Sequence, residues 1–413
     1  MKRLSAMLYA SLLGACSLGA QAQQWLPPHE LVHDAIDAQP DVVAARARVD
    51  AARARAGALA AGPHEFQLDA VAQRRSTDEL GGRQRFTESE FTLSRAFRLP
   101  GKAALDRRIG DAGVVAAELR LDDARHQSAR RMLDDWMDWL RAAEHLRTAE
   151  ATSTLLERER SGLARRVELG ESSRKDLDLI DVERAQAHAR LLAAQAALHS
   201  TREAMHSDFP GLPIPASAPA VDPPLALPET PQAWIDRIIA RSHEIGALAA
   251  DAEQADARAA RARAERIADP VLGFRRLNER GGAEQVNGLV LSIPLGGRYR
   301  AANARAESAQ AAAVHGDVAS MRRDISREAV VTVTAAATLA AQWQAQRNAL
   351  DASEAALRRV KRGWELGEVA VAEWLLVQRQ HAQIAAAEAD ARADAERARL
   401  RVLVDAHDIW HDD

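Results

Sequence analysis

The tetrapeptide Glu168-Leu169-Gly170-Glu171 occurs again as Glu365-Leu366-Gly367-Glu368, 197 positions later. Each copy lies between two stretches of strongly helical composition. Glycine reaches left-handed dihedrals without a Cβ clash, so it is the usual residue where a helix reverses. Six residues past each glycine stands an acid, Asp176 in the first copy and Glu373 in the second. The chain is therefore expected to contain the same long helical hairpin twice, and everything else in it must fit around that pair.

The composition agrees. Ala, Arg, Glu, Leu and Gln dominate and aromatics make up only 4% of the 413 residues, which favours long helices. The formal net charge is -4 with both signs interleaved, so the basic face of a nucleic-acid binder is missing. No apolar run beyond the N-terminus approaches the length of a transmembrane helix. Residues 1–22 read as an export signal: Lys2 and Arg3, an apolar stretch from Leu4 to Leu18, and Ala20-Gln21-Ala22 as a cleavage site before Gln23. Cys16, the only cysteine, follows Leu13-Gly14-Ala15, which also resembles a lipoprotein cleavage box, so lipidation of Cys16 stands beside simple cleavage. Either way the mature chain has no disulfide.

Taken in order, residues 29–62 form a first helical segment ended by Gly62-Pro63. Phe66, Leu68, Ala70 and Ala72 alternate, as do Phe91, Leu93, Phe97 and Leu99, with Gly81-Gly82 between them. Period two on both sides of a glycine turn predicts a β-hairpin. After Leu99-Pro100-Gly101-Lys102 a proline-free helix of about 65 residues runs to Val167 and would span about 100 Å. In it Met132, Trp136, Trp139, Ala143 and Leu146 step by 4 and 3, the seam of a coiled-coil-like helix. The Gly170 turn leads to a helix over 173–206. Eight prolines between Pro210 and Pro231 make 207–231 a linker.

The pattern then restarts. Trp234 to Ala268 is helical, Val271–Arg275 and Leu289–Ile293 flank Gly281-Gly282, and Pro294-Leu-Gly-Gly-Arg298 takes the place of Pro100-Gly-Lys102. The next long helix carries the seam Leu339, Trp343, Gln346, Leu350, Ser353, Leu357, Val360, Trp364, and a last helix after Gly367 runs to about Asp405. The organisation expected is a signal over 1–22, a first repeat over 23–206, the linker over 207–231 and a second repeat over 232–413. The fold class is mainly α with a small β part. Four strands alone leave exposed edges; three chains would supply twelve, an even number that can close.

The whole mature chain resembles the TolC-like outer-membrane factors, the exit ducts of tripartite efflux pumps and type I secretion systems. The resemblance rests on the duplicated element order, the proline-rich linker, Phe97-Arg-Leu-Pro-Gly-Lys102 entering the long helix, and the two Leu-Gly-Glu tips. The Leu-Pro-Gly-Lys form looks most like the heavy-metal, CzcC-like branch. The resemblance implies a homotrimer with a twelve-stranded barrel in outer-membrane lipid and an α-barrel crossing the periplasm. It implies tips at Leu169-Gly170 and Leu366-Gly367 that meet a periplasmic adaptor protein, and an inner-membrane RND transporter as the energy source. Asp176 and Glu373 fall where the family places acids at the periplasmic aperture, where rings of three would attract cations. Trp364 stands where some members carry a gating tyrosine, and Val369 where some carry a gating arginine.

Two features depart from that pattern. The candidate strands hold Phe66, Phe86, Phe91, Phe97 and Phe274 but no tryptophan, and the second hairpin is short for a span. His29 with His33 and His407 with His411 have the i, i+4 spacing of metal ligands, but no cysteine or carboxylate cluster completes a site, so no metal or cofactor is expected. Nucleophile elbow, phosphate loop and zinc motif are all missing, which argues against an enzyme. The competing reading is a periplasmic helical-hairpin adaptor or structural protein without its own channel.

Overall fold

The structure, a computed structural model, describes residues 25–79 and 81–410. The export signal expected over residues 1–22, with Cys16, and also His411 lie outside the described residues. The chain is mainly helical with one small sheet, as expected. The elements are α1 (His29–Asp37), α2 (Pro40–Ala61), β1 (Gln67–Glu79), β2 (Gly82–Ala96), α3 (Lys102–Glu168) and α4 (Arg174–Asp208). They are repeated as α5 (Pro231–Arg241), α6 (His243–Ala264), β3 (Val271–Glu279), β4 (Glu284–Ser292), α7 (Arg298–Glu365) and α8 (Val371–Asp405). The duplicated helices match closely: α2 and α6 both have 22 residues, α3 and α7 have 67 and 68, α4 and α8 both have 35. The strands do not, with 13 and 15 residues in the first copy against 9 and 9 in the second.

The entry segments differ from the single helices expected. The first breaks at Ala38-Gln39, because Pro40 lacks an N–H and crowds the residue before it; Gln39 Nε2 turns instead to the Asp208 carbonyl at 2.7 Å. The second breaks at the matching point without proline. Ser242 Oγ accepts from the Ile245 N–H at 3.2 Å and caps a new helix, which ends at Ala264 rather than Ala268. β1 and β2 also outrun their apolar alternation. The ladder continues from Gln73↔Glu88 to Glu79↔Gly82, through residues that are polar on both faces except Phe86.

Two compact units form, and each draws on both repeats. The first comprises residues 25–39, 126–238 and 329–410. Here the α3 seam is buried at Met132, Trp136, Trp139 and Ala143, with the Trp136 indole donating to the Trp25 carbonyl at 3.0 Å. On α7 the seam lies on the covered side, fully buried at Leu350 and Trp364. The proline-rich linker is tied down. Phe209, Leu212 and Val221 are buried, while Arg147 Nη1 donates to Ala218 O at 3.0 Å and Arg392 Nη1 to Val221 O at 3.1 Å. A segment without a ladder leaves carbonyls in need of donors, and these guanidiniums supply them.

The second unit comprises 40–125 and 239–328. Its sheet has the order β1-β2-β3-β4, antiparallel throughout, which leaves β1 and β4 as the two edges. Directly opposed residues share a face. The row Leu68↔Leu93↔Phe274↔Leu289 therefore marks one face across all four strands.

Candidate functional site: two helical tips and the strand roots

The tips lie in the first unit and close with the same pair of backbone bonds. In the first, the Gly170 N–H donates to Val167 O at 3.0 Å and the Glu171 N–H to Arg166 O at 2.8 Å. In the second, Gly367 donates to Trp364 O at 3.0 Å and Glu368 to Gly363 O at 2.8 Å. This pair of bonds is the Schellman closure, and it needs a left-handed residue just past the helix. Gly170 and Gly367 supply it with φ of 77° and 78°. Leu169 and Leu366 are left at the apices, 68% and 57% exposed.

Beneath the apices both hairpins share one apolar cluster. Leu156 and Leu163 come from α3, Leu177 and Ile180 from α4, Trp364 from α7, and Val371, Trp374 and Leu375 from α8. The Trp364 and Trp374 rings stack at 4.4 Å with 9° between planes, which adds to the energy of their burial. Asp176 and Glu373 precede cluster members Leu177 and Trp374 directly in sequence, so the structure brings both acids to the same end of the bundle.

The two acids are not equivalent. Ser173 caps α4: its Oγ accepts from the Asp176 N–H at 3.1 Å, while Asp176 Oδ2 takes the Ser173 N–H at 3.3 Å and the Ser173 hydroxyl at 2.7 Å. This reciprocal box commits the Asp176 carboxylate to its own helix start. In the second tip the capping position is Ala370, which has no side-chain acceptor, and Glu373 is exposed. The Trp364 ring lies in the apolar cluster against Trp374, while the Asp176 carboxylate is held by Ser173.

The strand roots, in the second unit, hold a site the sequence reading passed over. Lys102, the first residue of α3, is 2% exposed at its side chain. Its three protons meet Asp269 Oδ1 at 2.7 Å, the Ile267 carbonyl at 2.7 Å and Glu265 Oε2 at 3.1 Å. Asp269 also accepts the Leu99 N–H at 2.9 Å and faces His64 Nε2 at 3.0 Å. Burial would push the Asp269 carboxyl up, but Lys102, the Leu99 amide and His64 outweigh it and hold the group down at about 2. Glu265 also binds Arg261 and Arg300, and burial is likewise outweighed there, so its carboxyl is lowered. Arg98 joins this network through Asp106 and donates to the carbonyls of Leu59, Ala60 and Ala61 at the end of α2. Its guanidinium fills the space a side chain at residue 62 would need, 2.6 Å from a Cβ at Gly62. A signal for this node was present: a lysine at a helix N-terminus opposes the dipole and calls for nearby acids.

No family model matches the chain, and no curated protein matches it in sequence. Solved structures do match. CusC, whose structures concern folding and transmembrane channel formation, is 16% identical, covers 91% of both chains and superposes with a TM-score of 0.74. VceC, an outer-membrane protein of Vibrio cholerae, is 16% identical over 91% of this chain and 95% of its own, with a TM-score of 0.74. The MtrE outer-membrane channel of Neisseria gonorrhoeae, in its open state, is 17% identical over 92% and 88%, with a TM-score of 0.72. The chain has the outer-membrane channel fold.

That fold gives the sheet its context. On one face Leu68, Phe91, Leu93, Phe274, Leu289 and Leu291 are all exposed, Leu289 at 90%. The opposite face is charged and internally paired, with Arg75 Nε to Glu88 Oε1 at 3.1 Å and Arg275 Nε to Glu90 Oε1 at 2.8 Å. The sheet thus carries an exposed apolar face, two open edges and an ion-paired polar face at once.

Proposed function

We propose that this protein is a homotrimeric outer-membrane channel of a tripartite efflux system. It conducts solutes passively, while an inner-membrane RND-type transporter and a periplasmic adaptor supply energy and coupling. The observation that carries this reading is the sheet: apolar and exposed on one face, ion-paired on the other, open at both edges. Open edges are untenable in lipid and a hazard in water. Three copies joined β4 to β1 would close twelve strands with the apolar face toward lipid and the paired face toward the lumen. In this reading each repeat, 23–206 and 232–413, contributes one hairpin to the barrel and one tip to the periplasm.

Leu169, Gly170, Leu366 and Gly367 form the adaptor-contact tips, because exposed leucines on rigid turns offer apolar anchors. Asp176 and Glu373, with Trp364 behind them, line the periplasmic aperture. Rings of carboxylates at a narrow mouth favour cations, which supports heavy-metal ions as cargo. The experiment is insertion and conductance. The protein from outer-membrane fractions should migrate as a heat-modifiable trimer and open cation-preferring channels in planar bilayers. Asp176→Asn with Glu373→Gln should reduce that preference, with Glu373→Gln carrying most of the change because Asp176 is committed to Ser173. A soluble monomeric species would sink the channel reading; unchanged selectivity would remove only the acids. Sensitivity of a deletion strain to divalent metals, rather than to drugs, would identify the cargo class.

A further inference from the structure

The arginines of the sheet divide by face. On the paired face Arg75 and Arg275 are neutralised by Glu88, Glu279 and Glu90. On the apolar face the register places Arg276 in the row of Ala70 and Phe91, the last row of the apolar band. Beyond it, toward the hairpin turns, come Arg74 opposite Thr87, Arg85 opposite Ser76, and Arg83 opposite Asp78. Arg74, Arg85 and Arg276 are exposed and make no ion pair among the described residues; Arg83 has only Asp78, at 3.6 Å and with both side chains exposed. Four cations against one acid thus crown the apolar band on the face that carries it.

The band itself is short. From the row of Phe97 and Ile293 to that of Phe91 is six residues, roughly 20 Å along a strand, against about 25 Å for a usual barrel band. The band holds one cation, the half-buried Arg95, which donates to the His64 carbonyl at 3.0 Å and lies over the Phe66 ring; the exposed cations begin where hydrocarbon ends. All four strands join the helices at the opposite end, so the turns and the arginines above the band face outward if the helices are periplasmic. Guanidinium forks suit phosphate oxygens, and their aliphatic stems extend the apolar band.

We propose that Arg74, Arg83, Arg85 and Arg276 form a binding surface for the phosphate groups of the outer-leaflet glycolipid, of the lipid A type. The inference rests on the membrane reading above. Charge complementarity continuous with an apolar band selects a phosphorylated lipid, since a protein partner would have no reason to adjoin hydrocarbon.

The test reconstitutes the full-length protein into phosphatidylcholine vesicles containing diphosphoryl lipid A or its dephosphorylated form. Flotation reports insertion, and lipid retained on the purified trimer reports binding. Wild type should float with both vesicles and retain diphosphoryl lipid A preferentially. Arg74→Gln/Arg85→Gln/Arg276→Gln should still float but lose on the order of 10²-fold in apparent affinity. Arg75→Gln, on the other face, should bind as wild type does. Equal retention of both lipids, or undiminished retention by the triple variant, would overturn the proposal while leaving the channel intact. Stabilisation by inorganic phosphate alone, equal to that by the lipid, would overturn the lipid assignment. Failure of wild type to float at all would overturn the membrane reading and this surface with it.

Discussion

The two repeats have the same element order and almost the same helix lengths, yet corresponding ends are built differently. At the strand roots, Lys102 is buried among Glu265, Asp269 and the Ile267 carbonyl. Its counterpart Arg298 is exposed. Asp269-Pro270 of the second repeat supplies the carboxylate that Lys102 meets, and the matching Gly62-Pro63 of the first carries none. At the tips the asymmetry recurs, with Ser173 capping α4 and Ala370 opening α8 uncapped. Duplication fixed the scaffold, and single residues then made one copy of each end rigid and left the other plain.

The largest test of that difference is at the roots. Lys102→Met leaves Asp269 and Glu265 short of a buried cation and should cost about 3–5 kcal/mol, read as a lower midpoint for loss of the folded, heat-modifiable form. Arg298→Met should stay within about 0.5 kcal/mol. Equal losses would mean that the two roots are equivalent after all.

Acid offers a second, smaller contrast. Asp269 is held at about 2 against an ordinary value of 3.8. Because the folded-state value is depressed, its stabilisation of about 2 kcal/mol is present above pH 4 and lost as pH falls toward 2. Asp269→Asn should flatten that part of the stability profile. Asp135 moves oppositely. Burial, with Asp208, Asp138 and Asp134 nearby, raises it to about 6. Stability should therefore fall as pH rises from about 4 to about 6, and Asp135→Asn should remove that slope, measured between pH 4 and 7.

The smallest effects belong to the caps. Ser173→Ala should destabilise the first tip by about 1 kcal/mol, whereas Ala370→Ser should strengthen the second by a similar or smaller amount. Hydrogen exchange at the amides of residues 174–177 and 371–374 reads both tips in one sample. Unchanged protection in both variants would remove the cap from the account of tip asymmetry.

Much of this molecule was legible in the sequence because its information is local. Gly170 and Gly367 mark helix reversals by conformational necessity, the Trp and Leu steps in α3 and α7 state a helical period, and eight prolines forbid a helix in the linker. Whatever depended on partners distant in sequence was not legible. Strand ends past residue 73 carry no apolar pattern, and only the ladder extends them. The break at Ser242 has no proline to announce it. The pairing of Lys102 with Asp269, across 167 positions, and the division of arginines between two faces of one sheet follow from register and approach. The sequence alone determined a duplicated helical hairpin with a strand pair in each copy, because periodicity and backbone permissiveness are properties of short windows. The tertiary structure alone decided which charges are neutralised, which acid is committed to a cap and which face of the sheet is left apolar, because burial and electrostatics depend on neighbours that the chain brings together only by folding.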